Sequence, residues 1–151
     1  MRFFGTCFVK YFSHYGYDRI IAVCGRNFRD FLHGIDNLHE TMRFSFPKMV
    51  SPSFYVTDET TAGCKLHYLT RRSGHQEYVC GQLESCAQNF YNISLEIRLE
   101  SVTQESNGQI HMTYALVFDN AYFARRMRRL HNLSQENFPG LDGQTFFTAR
   151  K

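Results

Sequence analysis

One stretch of the chain, Asn27 to Phe46 (NFRDFLHGIDNLHETMRFSF), limits the fold more than any other. Phe28, Phe31, Leu32, Ile35, Leu38, Met42 and Phe46 recur at three- and four-residue intervals, which puts them on one stripe of an α-helix. Asn27 suits the N-cap of that helix, Asp30 resembles the second half of a capping box, and Pro47 ends the run. His39 falls inside the stripe, four residues after Ile35 and three before Met42, so the helix carries an imidazole into an apolar space. A core histidine hydrogen-bonded to a carbonyl satisfies this pattern and is the commoner use of the residue. A neutral imidazole in an apolar cavity is also what haem iron requires of an axial ligand. The helix alone leaves both readings open.

The flanking patterns set the fold class. Upstream, Phe4, Cys7, Phe8, Tyr11, Phe12 and Tyr15 recur at helical spacing, which predicts a core-facing helix starting almost at Met1 and broken at Gly16. A helix with no cap before it implies structure upstream. A short apolar helix, YDRIIAVC, is closed by Gly25. Downstream, PKMVSPS reads as a turn, Phe54–Asp58 and Cys64–Arg72 as strands, and Val79 to Tyr91 as an amphipathic helix. The period then changes to two. Ile93, Leu95, Ile97 and Leu99 alternate with polar residues, Asn107-Gly108 marks a hairpin turn, and Ile110, Met112, Tyr114, Leu116 and Phe118 alternate on the return. Helices followed by an antiparallel sheet with one inserted helix make an α+β fold. After Asn120 the pattern fades into a basic ARRMRRL segment and the linker-like SQENFPGLDGQ, which divides the chain into a domain over 1–122 and a basic, flexible tail over 123–151.

Composition narrows the function classes. Fifteen Phe and nine Tyr in 151 residues suit a wide flat cavity as well as an ordinary core. A net charge of +3 does not call for nucleic acid, and Arg125, Arg126, Arg128 and Arg129 have no aromatic platform interleaved with them, so they read as a solvated segment. Nothing approaches the length of a membrane span. Five cysteines, an odd number without a CxxC pair, point to a reduced, cytoplasmic protein, with Cys80 and Cys86 as small core residues. No two histidines have zinc spacing; His33, His67 and His111 read as surface residues, and His14 and His75 as loop residues. No phosphate loop or metal-binding carboxylate pair is present, so nucleotide chemistry lies outside this chain.

Tyr68, Thr70 and Arg72 stand at alternate positions of an extended segment, which puts a phenol, a hydroxyl and a guanidinium on one face over about 13 Å. Two carboxylates of a flat ligand would match them, the arginine gripping one bidentately. The polar outer face of a strand has the same pattern.

The stretches YGYDRIIAVCGRNFRDFLHGIDNLHETM, SFPKMVSPSF, LHYLTRRSG and VFDN together resemble the haem-nitric oxide/oxygen-binding (H-NOX) domain of soluble guanylate cyclases, and most nearly its atypical, oxygen-responsive animal subunits. The likeness runs from about Phe8 to Asn120. It implies haem b, with His39 as the proximal ligand to iron. It implies that Tyr68, Thr70 and Arg72 form a propionate clamp in which Thr replaces the family's Ser. Pro52 matches the proline that presses on the porphyrin. Tyr78 falls, by its offset from Arg72, where oxygen-binding members carry a distal tyrosine. The family's opening helices, which form the other wall of the pocket, and its downstream cyclase parts have no counterpart here, so a partial H-NOX domain is expected.

Two functions follow from the resemblance. One is a haem-based sensor of oxygen, nitric oxide or carbon monoxide, regulating a guanylate cyclase that makes cGMP from GTP, as a homo- or heterodimer with another cyclase subunit. The other is a haem-free module that pairs with or antagonises a full-length subunit.

Overall fold

The computed structural model describes residues 1–46, 48 and 50–137. Its elements are α1 (Arg2–Phe12), a π-helical turn (Ser13–Tyr17), α2 (Asp18–Cys24), α3 (Phe28–Ser45), β1 (Ser53–Thr60), β2 (Gly63–Thr70), α4 (Gln76–Tyr91), β3 (Glu96–Gln104), β4 (Ile110–Val117) and α5 (Ala121–Asn137). The four strands form one antiparallel sheet in the order β1-β2-β4-β3. The α+β architecture read from the sequence is the one found.

Helix α3 begins as its sequence dictates. Asn27 Oδ1 accepts the Asp30 N–H at 3.0 Å, and Asn27 Nδ2 donates back to the Asp30 carboxylate at 2.9 Å. Phe28, Phe31, Leu32, Ile35 and Met42 are buried, as the stripe requires. Phe46 corrects it: the helix closes at Ser45, and Phe46 is the exposed residue after it. Pro47, expected to end the run, lies outside the described residues.

The core joins this stripe to the inner face of the sheet (Leu66, Met112, Tyr114, Leu116) and to the buried side of α4 (Val79, Leu83, Cys86, Ala87). Burial pushes the Cys86 thiol up to about 12 and Cys80 to about 11, so both are inert packing residues.

Helix α1 differs from expectation. Its aromatic stripe is largely in solvent, with Phe4, Tyr11 and Tyr15 all more than half exposed, and the buried residues are Gly5 and Val9. Glycine decides which side packs. A Cβ at Gly5 would lie 2.1 Å from the Tyr78 carbonyl oxygen, and one at Gly81 would lie 2.0 Å from that of Arg2. The α1 and α4 backbones therefore approach closely through a pair of glycines, and Arg2 closes the contact by pairing with Glu84 and Glu77. Gly16, with φ 83°, makes the break before α2.

Three further boundaries move. Strand β1 runs to Thr60 instead of Asp58. Strand β3 starts at Glu96, so Ile93 and Leu95 precede it. Residues 121–137 form a helix where an irregular linker was expected; Asp119 Oδ1 accepts the Ala121 N–H at 3.1 Å at its start. The rest of the expected tail, 138–151, lies outside the described residues.

A bulge near the end of β1 ties the sheet to α3. The register shifts between Thr57 and Thr60, and Asp58 adopts φ 49°. This turns Glu59 toward α3, where it accepts from Arg29 Nε at 2.5 Å and Nη2 at 3.1 Å and meets His33 Nε2. Burial would raise the Glu59 pKa, but Arg29 and His33 outweigh it and hold the carboxyl below its ordinary 4.5. Stability from this cluster is thus present above pH 4.5 and is lost as pH falls through the depressed value. Arg29→Met is expected to cost about 2 kcal/mol at pH 7, below the usual range for a fully buried pair because His33 and water still reach Glu59. Urea melts of both chains should show this gap at pH 7 and a smaller one at low pH; a gap independent of pH would disprove the assignment.

Candidate functional site

The inner face of the sheet, α3, α4 and α1 enclose a cavity of about 320 Å³. Its walls are apolar: Ile35, Leu38 and Met42 from α3, Phe54 from β1, Phe8 and Phe12 from α1, and Val79 and Leu83 from α4. All six residues singled out from the sequence, His39, Pro52, Tyr68, Thr70, Arg72 and Tyr78, line this one cavity.

His39 enters from the middle of α3. Its ring stacks near Phe54 (centroids 5.5 Å, 19°), which in turn stacks on Tyr68 (4.9 Å, 30°). Nδ1 of His39 is buried with no hydrogen-bond partner among the described residues. Burial holds the imidazole below the ordinary histidine value, against the opposing pull of Asp36 and Glu40, so the ring is neutral at pH 7. A buried ring nitrogen without a partner costs free energy unless something binds it. Among the described residues, then, no carbonyl bonds His39 Nδ1 as it would in an ordinary core histidine. His39 also borders a second, more polar cavity behind it, which includes Asp36, Arg43, Ser51 and Pro52.

At the other end are the polar groups. Tyr68 and Thr70 are buried inner-face residues of β2. Arg72 lies beyond the end of that strand, which closes at Thr70 and not at Arg72 as read from the alternation. Its N–H donates to Thr70 Oγ1 at 3.1 Å, a local turn that keeps Arg72 on the cavity side at the exposed mouth. Burial raises the Tyr68 pKa, with the Thr70 hydroxyl and Arg72 lowering it in part, so the phenol keeps its proton. Tyr78, in the first turn of α4, is half-buried between Phe8 (6.1 Å) and His75 (5.9 Å, edge-on). Burial, then the neighbouring Tyr68 phenol, raises its pKa as well, which leaves a neutral O–H donor.

The sequence reading missed three contributors. Asp36 Oδ1 accepts the Phe54 N–H at 2.6 Å and so fixes the strand beside His39; its position three residues before His39 was the available signal. Phe54 supplies the ring between His39 and Tyr68. His75, placed in a loop, is in one, yet it lines the cavity with its Nδ1 2.8 Å from the Ser73 carbonyl oxygen.

A neutral imidazole with an unbonded buried nitrogen, apolar walls and a carboxylate-seeking polar end are together what a flat metal cofactor bearing two carboxylates needs. The residues present fit haem.

Comparisons with known proteins agree. The family model described as haem-NO-binding matches residues 1–99. Soluble guanylate cyclase 89Db of Drosophila melanogaster is 39% identical over 97% of this chain and 24% of its own length. Soluble guanylate cyclase gcy-31 of Caenorhabditis elegans is 37% identical over 86% of this chain and 18% of its own. The chain thus spans less than a quarter of the length of these relatives. The crystal structure of an oxygen-binding H-NOX domain related to soluble guanylate cyclases, an oxygen complex, superimposes with a TM-score of 0.60 at 18% identity, over 77% of this chain and 58% of that one. The chain belongs to the haem-NO-binding family, as an H-NOX domain of the soluble guanylate cyclase kind.

Proposed function

We propose that this chain binds haem b and senses a diatomic gas, oxygen in particular, on behalf of a guanylate cyclase. The observation that carries the reading is the single cavity into which a neutral, unbonded His39 and the Tyr68–Thr70–Arg72 set converge. Bound haem would supply a metal able to take up a gas. The chain's own residues hold and tune it. His39 presents its imidazole from α3 as the protein ligand. Tyr68, Thr70 and Arg72 would orient the carboxylates, Arg72 with charge and the other two with hydroxyl donors. Pro52 would pack against the bound group, and Tyr78 would offer its O–H from the first turn of α4. A shift of His39 reaches β1 through Asp36 and the Phe54 amide, and coupling to an output requires contacts that differ between two states. In this reading residues 1–122 are the sensor domain, the basic segment from 123 leads to the output, and the partner is another cyclase subunit in the cytoplasm. No helix among the described residues is long and apolar enough to cross a membrane.

The visible spectrum of the purified chain titrated with haem tests the reading, with a five-coordinate ferrous form expected. Arg72→Ala should weaken haem retention 10- to 100-fold, since a charge-assisted contact contributes about 1.5–3 kcal/mol and each 1.4 kcal/mol is tenfold. Arg71, which is exposed and does not line the cavity, is the control. Equal loss from Arg71→Ala and Arg72→Ala would remove the clamp from the account.

The exposed aromatic side chains of α1 and the turn after it (Phe3, Phe4, Tyr11, Tyr15) favour a second reading, a haem-free interaction module that docks on a cyclase subunit. A chain that pairs with such a subunit but takes up no haem would establish it.

A further inference from the structure

The outer face of the sheet carries a cluster that the cavity does not use. Tyr55, His67 and Thr113 are register partners across β1, β2 and β4, and His111 stands two residues from Thr113 on β4. The two histidines, read from the sequence as separate surface residues, converge: His67 Nδ1 and His111 Nε2 are 2.9 Å apart. The Tyr55 ring lies flat on His67 (centroids 4.3 Å, 7°), and its hydroxyl is 3.5 Å from His111 Nε2. The remaining His67 nitrogen, Nε2, is 2.8 Å from Thr57 Oγ1.

We propose that His67 and His111 chelate a divalent transition-metal ion of the zinc or copper class, with the Tyr55 hydroxyl as the adjacent oxygen donor. A neutral imidazole has one N–H. Donated from Nε2 to Thr57, it leaves the Nδ1 lone pair of His67 aimed at His111. Metal-ligating histidines are ordinarily oriented in this way, by a partner on the second nitrogen. Metal–nitrogen bonds of about 2.0–2.1 Å in a tetrahedral site set the two nitrogens about 3.3–3.4 Å apart, so the pair has to open by about 0.5 Å. Both rings are half-buried, not locked in the core, and small side-chain rotations supply that movement. The proton now shared between them moves to His111 Nδ1 when the ion binds, which frees Nε2. Asp58 and Glu100, both paired with Lys65, add negative potential nearby. Imidazole donors select zinc and copper over magnesium and calcium, and copper over zinc. Among the described residues no three His, Cys, Asp or Glu side chains enclose a metal position, so water completes the coordination and the site is an open chelate.

The site lies on the face opposite Tyr68 and does not depend on haem. Calorimetric titration of the full chain with zinc chloride, and separately with copper chloride, should saturate at one ion per chain, copper binding more tightly. His67→Gln and His111→Gln should each weaken binding at least tenfold, while His14→Gln leaves it unchanged. Should either variant fail to fold, the wild type still decides. Sub-stoichiometric Cu²⁺ should broaden the imidazole resonances of His67 and His111 before those of any other histidine. No binding at millimolar zinc or copper, unchanged affinity in both variants, or first broadening elsewhere would overturn the proposal.

Discussion

A His39→Gly chain is expected to lose the five-coordinate haem spectrum and to regain it when imidazole is added. The ring stands within a wall of Phe54, Pro52 and Met42, so its removal leaves a ring-sized gap beside the place where the metal would sit. Free imidazole can enter that gap and restore the nitrogen without the tether. The fold should survive, because a glycine within a helix costs about 1 kcal/mol, and the neighbouring stripe residues stay packed. His75 is the most demanding control, since it lines the same cavity. Its substitution, like those of His14, His33, His67 and His111, should leave the spectrum intact. An unchanged spectrum in His39→Gly, or the same loss in His75→Ala, would displace His39 from its assigned role.

Tyr78→Phe, in the haem-loaded chain, should release oxygen 10- to 100-fold faster and carbon monoxide at nearly the wild-type rate. Bound oxygen would be polar enough to accept a hydrogen bond from the phenol, whereas bound carbon monoxide, less polar, would gain little. One hydrogen bond to a charged acceptor contributes about 1.5–3 kcal/mol, which gives the fold-change. The phenol keeps its proton because burial raises its pKa, so the donor is present throughout the neutral range. Its backbone is held as well, with the Tyr78 carbonyl seated over Gly5 of α1. Phe retains the ring and its contacts with Phe8 and His75, which separates loss of the hydroxyl from loss of packing. Stopped-flow dissociation of both gases is the measurement. Equal acceleration of the two, or a wild type that takes up no oxygen, would end the distal role of Tyr78.

The parts of the site that were legible in the sequence are those where one element's own period decides which side a residue faces. The α3 stripe around His39 and the alternation of Tyr68 and Thr70 depend only on helical and strand geometry, and both hold. Arg72 reached the right cavity for a different reason, since a Thr70 turn and not the strand carries it there. What stayed hidden depends on pairs of elements. The α1 aromatics have flawless helical spacing, yet two glycines 76 residues apart in sequence turn the packed side away from Phe4, Tyr11 and Tyr15 and leave only Phe8 and Phe12 at the cavity. Glu59 fell outside the predicted strands, because the bulge that re-aims it arises from the pairing of β1 with β2. The α5 helix was missed behind its run of arginines, although Phe123, Met127 and Leu130 keep helical spacing and Ala, Arg, Met and Leu are good helix formers. His67 and His111 meet only because β2 and β4 are neighbours, which their order along the chain does not imply.

The anchoring of α3 on β1 has a mechanical consequence. Arg29, clamped to Glu59, is a fulcrum, and His39 lies ten residues further on, an arm of about 15 Å at 1.5 Å per residue. Asp36 rides on the same arm at about 10 Å from the fulcrum. Moving His39 by about 1 Å tilts the helix by about 4° and carries Asp36 about 0.7 Å from its partner. The bond from the Phe54 amide, now 2.6 Å, would then stand near 3.3 Å, at the edge of what a hydrogen bond tolerates. A smaller stroke would carry the start of β1 along, and a larger one would let it go. Built this way, the helix would act as a lever with a catch that yields at a stroke of about one ångström.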